Sequence, residues 1–317
     1  MRKNLYMVMC HKNLDQVMRL VKQLVTAESD VVVHVDSSVE KAKYDAFVQQ
    51  IEPQKNVYIT DTRLHGVLDT RSLVDIVFAM VECVKSRGLS YQYYCLLSGQ
   101  DFLIKPIHEI NDQLRCAYPT PFIDCTPYDK RNWICHKFKY TDGLIKFNRF
   151  IAQKTTPKHA IRKMLRATSL LAQKVVSCLK MTDYHRLSRA GVVLYGGSAW
   201  WILPDVIMNL IWDDYKNKTD VTEKLLATYT PEETFFQTMA MRTEAKETID
   251  INDPLYTDQN CKTWAYFYDE GKPFKGHPYV LTENEFDKIQ QSSCWFARKF
   301  DVNEDAKILQ MIEENLL

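Results

Sequence analysis

The chain has 317 residues, 46% of them apolar and 12% aromatic, with a formal net charge of +1. That length and apolar content suit one large α/β domain or two smaller ones, with a sizeable core, and the near-neutral charge argues against general nucleic-acid binding. The nine cysteines show neither a Cys-x-x-Cys pair nor a metal-type spacing, the opening apolar run stops at Cys10-His11-Lys12-Asn13, and no stretch nears the ~18 apolar residues of a membrane span, so free thiols in a reducing cytoplasm are expected.

In chain order, Asn4–Met9 reads as a buried strand. Asn13–Val25 follows as a helix with Leu14, Val17, Leu20, Val21 and Leu24 on one face. Val31–Val35 is β-branched and ends at Asp36, and Ser37-Ser38 then opens a second helix. Val57–Ile59 is a third strand. Ser72–Arg87 is a helix facing inward with Leu73, Ile76, Val77, Met80 and Val84. Tyr93–Leu97 is a fourth strand, ended by Ser98-Gly99-Gln100-Asp101. Alternating helices and wholly apolar strands predict a parallel sheet covered on both faces. Ligands in such sheets sit beyond the carboxyl ends of the strands, where Asp36 and the Ser98–Asp101 turn lie. No glycine-rich dinucleotide fingerprint or P-loop is present, and no Asp-x-Asp occurs anywhere in the chain.

Between Lys130 and Arg189 stand fifteen Lys or Arg and only two carboxylates, Asp142 and Asp183. Within it Ala160–Lys180 is amphipathic, with Ile161, Met164, Leu165, Leu171, Val175, Val176 and Leu179 near one face. The plainer reading is a helix packed on the core with a solvated basic face. The other is a surface for anionic lipid. In Tyr195–Pro204, Gly196 and Gly197 allow close backbone approach, and Trp200 and Trp201 give a flat apolar wall. A bulged strand and a ligand wall are both consistent with this. In Tyr229–Thr238, Thr230 is placed to cap a helix, with Pro231 at its first position and Glu233 three residues after the cap. Either Glu233 completes that cap, or it is a general base held ionised by the helix dipole. Thr263–Phe267 reads as a strand, Glu283–Gln291 as a short helix, and Glu304–Leu317 as a terminal helix. Arg298 and Lys299 are adjacent cations between aromatics.

Five of these segments, in order, carry a resemblance: Val33-His34-Val35-Asp36, Leu96–Phe102, Gly197-Ser198-Ala199-Trp200, Thr230-Pro231-Glu232-Glu233 and Phe296–Asp301. Together with the missing Asp-x-Asp they resemble the core-2/I-branching β-1,6-N-acetylglucosaminyltransferases and the peptide O-xylosyltransferases. The match runs from about Asn4 to Asp301. The resemblance implies a GT-A-type nucleotide-diphospho-sugar transferase fold, a mostly parallel sheet with helices on both faces, and one domain over residues 1–317. Within it, 1–128 is a nucleotide-binding half, 129–190 a basic helical insert, and 191–317 an acceptor and catalytic half. It also implies a UDP-sugar donor carrying N-acetylglucosamine or xylose, a glycan or lipid-linked glycan acceptor, inversion, and no metal or further cofactor. Without the anchor and luminal disulfides of eukaryotic relatives, the chain reads as a bacterial cytoplasmic branch, placed at or near the inner membrane face.

By motif, Glu233 matches the catalytic base at the end of the family's Ser-Pro-Asp-Glu. Lys299 matches the lysine of Phe-Ala-x-Lys-Phe on the donor diphosphate, and Asp36 the aspartate near the uracil. Ser98 and Asp101 join the nucleotide candidates. The family's diphosphate arginine has no counterpart in Gly276–Tyr279, so either Arg298 or His277 takes its place or the donor contacts differ. Trp264 matches an acceptor-stacking aromatic. Trp200, Glu232 and Lys137, the last in a segment similar to an acceptor loop, complete the substrate candidates. Two other functions compete: a nucleotidyltransferase of similar sheet architecture, and a non-catalytic module stacking sugars on Trp200, Trp201 and Trp264.

Overall fold

A computed structural model describes residues 2–128, 141, 143–144, 159–251, 260–265 and 278–317. Side-chain placement is not described for 159–166 or for Trp264. The central sheet has six strands in the order β3-β2-β1-β4-β9-β6. These are β1 (Asn4–Cys10), β2 (Ser29–Val35), β3 (Val57–Ile59), β4 (Tyr93–Ser98), β6 (Phe122–Ile123) and β9 (Trp201–Pro204). β1 pairs in parallel with both neighbours, setting Tyr6 against Val31 on one side and Cys95 on the other. β9 runs antiparallel to β4 and β6. The sheet is therefore mostly parallel, as the alternating pattern predicts.

Side chains alternate across the strands, so each buried strand feeds two cores. Leu5, Met7, Val32, Tyr94, Leu96, Trp201 and Leu203 face one of them. There they meet α3 (Ser72–Lys85), α7 (Asp205–Lys216) and α9 (Phe235–Ala240). Tyr6, Val8, Val31, Val33, Tyr93, Cys95, Leu97 and Ile202 face the other. That side holds α1 (Leu14–Leu24), α2 (Lys41–Ile51), α4 (Ile107–Ala117) and the C-terminal α11 (Lys307–Asn315). Because both faces are covered, the strands carry no polar face, which is why they read as continuous apolar runs.

A second sheet stands at the carboxyl ends of the first. Its order is β10 (Thr263–Ala265), β11 (Phe296–Arg298) and β5 (Asp101–Leu103). Two short strands, β7 (Thr126–Pro127) and β8 (Tyr195–Gly196), form a third pairing. The remaining helices are α5 (His159–Cys178), α6 (Asp183–Arg189), α8 (Asp220–Leu226) and α10 (Phe286–Gln291). No helix of the described residues is long and apolar enough to cross a membrane.

Two local expectations need correction. The helix expected to open at Ser37-Ser38 starts at Lys41. Asp36 accepts the Ser38 amide at 2.7 Å and closes a turn there instead. The helix expected to pack its apolar face on the core, α5, does not do so over its described part. Leu171 and Val175 are exposed and Val176 is half-buried, while Ser169 is buried. Ile161, Met164 and Leu165 lie among the side chains that are not described.

Candidate active site

The chain places its chemistry beyond the ends of β1, β2 and β4, closed over by β11. β1 ends at Cys10, so His11 and Lys12 emerge at the crevice where doubly wound sheets bind ligands. Lys12 donates to Asp301 at 2.6 Å, and Asn13 donates to the other oxygen of that carboxylate at 2.7 Å. This ties the end of β1 to the segment following Lys299. Buried Gln16 completes the tie: its amide donates to the carbonyls of Gly99 (2.9 Å) and Phe300 (3.1 Å) and accepts from the Val302 amide (3.0 Å). In the sequence, His11 and Lys12 mark only the end of the opening apolar run. Their place immediately after the first parallel strand was the available signal.

Asp36 ends β2 and is almost fully buried. One oxygen accepts from the Ser38 amide and from His65 Nδ1 (2.9 Å), the other from the Gly66 amide (2.6 Å). Burial pushes its pKa up, but these hydrogen bonds outweigh burial and hold the carboxyl well below its ordinary value. Arg63 donates to the carbonyls of Asp36 (2.8 Å) and Val39 (2.6 Å) and lies over the Tyr44 ring at 4.2 Å. Asp36 thus organises the 63–66 loop that borders the crevice.

Ser98 and Asp101 form one turn. Asp101 accepts from the Ser98 amide (2.7 Å) and hydroxyl (3.1 Å), and the Ser98 hydroxyl accepts from the Gln100 amide (3.0 Å). β5 and β11 set Asp101 opposite Arg298, and the two side chains form a buried ion pair at 3.6 Å. Burial raises the Asp101 pKa, with Arg298 opposing it. The Arg298 guanidinium lies 4.0 Å from the centre of the Trp200 ring, within cation–π range. Its Nε and Nη1 are buried and make no hydrogen bond among the described residues. Arg298 and Lys299 are joined by a cis peptide bond. The Lys299 carbonyl accepts from the Leu281 amide at 2.8 Å. Burial, then the charge of Arg298, pull the Lys299 ammonium below the usual lysine value. His11 is held below its ordinary value by burial, with Lys12 and Lys299 adding to the effect and Asp36 opposing it. His11, Lys12, Arg298 and Lys299 therefore share one electropositive end of the crevice.

Glu233 approaches from the other side. Residues Pro231–Glu233 form a single 3-10 turn, and Thr234 separates it from α9. This corrects two expectations. Thr230 makes no side-chain cap: its backbone is left-handed, with φ 51° and ψ 58°, and its hydroxyl donates to the Tyr229 carbonyl (2.7 Å). One turn of three residues also lacks the aligned peptides of a long helix, so little dipole acts on Glu233. The Glu233 carbonyl accepts from the Gly197 amide at 2.9 Å, which ties this turn to the segment after β8. α9 continues the seam: Gln237 donates to the Ser198 carbonyl (2.6 Å), and the Thr238 hydroxyl both accepts from the Tyr195 amide and donates to its carbonyl (3.1 Å each). A Cβ at Gly197 would stand 1.9 Å from the Asp124 carbonyl oxygen, so only glycine fits there. The close approach expected of this glycine pair is met at Gly197. Three residues on, Trp200 joins this segment to Arg298. Glu232 turns away and accepts from the Asp69 amide at 3.4 Å.

Of the remaining candidates, Trp264 is placed only by its backbone, beside Ala297 in the β10–β11 pairing. His277 and Lys137 lie outside the described residues. Among the described residues no three His, Cys, Asp or Glu side chains gather as a metal ion would require.

The chain finds no match among curated proteins. A family model described as the core-2/I-branching enzyme matches residues 5–290. The match takes in the sheet, the Asp36 and Ser98 turns and the Glu233 turn, stopping short of Arg298. On that extent the chain belongs to the core-2/I-branching enzyme family of GT-A-like glycosyltransferases.

Proposed function

We propose that this glycosyltransferase moves N-acetylglucosamine or xylose from a UDP-sugar to a hydroxyl of a glycan or lipid-linked glycan, with inversion and without a metal ion, in bacterial surface polysaccharide synthesis. The observation that carries this reading is the link through Trp200. The short segment Gly197–Trp200 between β8 and β9 holds the Glu233 backbone by the Gly197–Glu233 hydrogen bond, and the Trp200 ring lies against Arg298, next to Lys299. The turn bearing the proposed proton acceptor and the Arg298–Lys299 pair are thus both tied to one short segment.

In this reading the acceptor oxygen attacks the anomeric carbon from the face opposite the nucleotide. The bond between that carbon and the diphosphate oxygen breaks, and its electrons leave on UDP. The hydroxyl proton passes to the Glu233 carboxylate. Lys299 and the uncommitted donors of Arg298, with His277, stabilise the charge that grows on the diphosphate. Asp36 and the Ser98–Asp101 turn border the nucleotide, and Trp200, Trp264, Glu232 and Lys137 the acceptor. Adjacent residues of a 3-10 turn point about 120° apart, so Glu232 and Glu233 do not flank one bond and a paired-carboxylate glycosidase is disfavoured.

Glu233→Gln tests the reading. A positioned base contributes roughly 10²–10⁴-fold, so the variant should lose turnover of UDP-sugars by that factor while its melting temperature stays near that of the parent. Undiminished transfer would remove Glu233 from the chemistry.

A further inference from the structure

We propose that the outer face of α5 docks on a bilayer surface bearing anionic lipid. Leu170, Leu171, Val175, Leu179 and Met181 are between 50% and 64% exposed. Large apolar side chains at that exposure, clustered along one helix, need an occupant. At 100° per residue, Leu171, Val175 and Cys178 fall within about 60° of one another, with Lys174 beside them. The opposite side carries buried Ser169 and half-buried Ala172, Gln173 and Val176. The helix is therefore anchored by its more polar side and turns its apolar stripe outward, the reverse of a helix packed on a core.

Charge decides between occupants. No Asp or Glu stands between Asp142 and Asp183, while exposed Lys174 flanks the stripe and exposed Lys180 follows the helix. Lys180 takes a left-handed backbone, φ 52°, at the end of the helix. Its amide donates to the Ser177 carbonyl and that of Met181 to Val176, closing the last turn in a Schellman arrangement. A second copy docked on this face would bring like charges together. An anionic lipid surface complements them, and each basic residue near it raises binding roughly five-fold. A helix with an apolar stripe and basic flanks, too polar to span, lies in the plane of the interface. The proposal rests on the exposed stripe and its flanking charges and not on the roles of Glu233 or Lys299.

The experiment is co-sedimentation of the full chain with vesicles of phosphatidylcholine alone or mixed with phosphatidylglycerol. Binding is expected to the mixed vesicles at low salt and to fall at high salt. Leu171→Asp with Val175→Asp, or Lys174→Glu with Lys180→Glu, should weaken it about ten-fold or more. All four positions are exposed, and an unchanged thermal melt checks that the variants fold. The proposal is overturned by absence of sedimentation with the mixed vesicles at low salt, by equal binding to phosphatidylcholine alone, or by unaltered binding of both variants. A parent dimer in sedimentation equilibrium that Leu171→Asp converts to monomer would likewise overturn it, assigning the face to a second copy.

Discussion

Arg298 and Lys299 are neighbours in sequence with different duties in the fold. Arg298 is buried against Asp101, so removing it strands a carboxylate in the interior, which typically costs about 3–5 kcal/mol. Lys299 is half-buried, and no carboxylate of the described residues lies within ion-pair distance of it. The two alanine variants should therefore separate. Arg298→Ala is expected to lower the denaturation midpoint sharply. Lys299→Ala should melt near the parent yet lose UDP affinity, by calorimetry, by about 1.5–3 kcal/mol, the usual worth of a charge-assisted contact. Equal stability losses in both would erase this division. A pH dependence follows from the lowered Lys299 pKa. Below that folded value the ammonium is charged and available to a diphosphate, and as pH rises through it the charge is lost. UDP affinity should weaken toward alkaline pH before an ordinary lysine would titrate. Lys299→Arg, which stays charged, should flatten the profile.

At the scale of elements, legibility follows how local the stabilising contacts are. β1, β2 and β4 and the helices α1 and α3 are readable because each is long enough to show its own periodicity and buries a continuous apolar face. β5, β8 and β11 are not, because two or three residues carry no period and form only through distant partners. β11 pairs with β5 across nearly two hundred residues, which is how Arg298 comes to face Asp101. The turn at Glu233 misled for a related reason. Thr230, Pro231 and Glu233 spell a helix start, but the backbone at Thr230 is left-handed and Thr234 interrupts the run. The tether is instead the Gly197 amide, a contact that no local pattern encodes. Gly197→Ala tests it. Its Cβ would overlap the Asp124 carbonyl, which is backbone and cannot rotate away. The strand must shift, at about 1–3 kcal/mol or more, carrying the Glu233 turn with it. Turnover should fall together with stability, whereas Gly191→Ala, in open space but at φ +73°, should cost stability alone.

Over the whole molecule, carboxylates join parts of the chain that lie far apart in sequence, and this makes stability depend on acid in a defined sense. Asp301 bridges to Lys12 across 289 residues, and Asp36 gathers Ser38, His65 and Gly66. Burial raises both pKa values, but hydrogen bonds and, for Asp301, the Lys12 charge prevail and leave both lowered. A lowered folded pKa contributes stability that is present above the unfolded value of about 4 and is lost as pH falls through the folded value. Asp101 acts in the opposite sense. Its folded pKa is raised by burial, so its cost is present above that value and is relieved as acid protonates it. The two effects oppose each other just above pH ~4, and below it only the loss from Asp36 and Asp301 remains. Urea midpoints should therefore fall steeply below about pH 4. Asp301→Asn keeps the shape of the side chain but cannot hold the Lys12 charge. It should lower the midpoint at neutral pH and shallow the acid limb by the same amount, so that parent and variant converge at low pH. Parallel curves, offset equally at every pH, would mean that Asp301 contributes shape and not charge to the closure of the site.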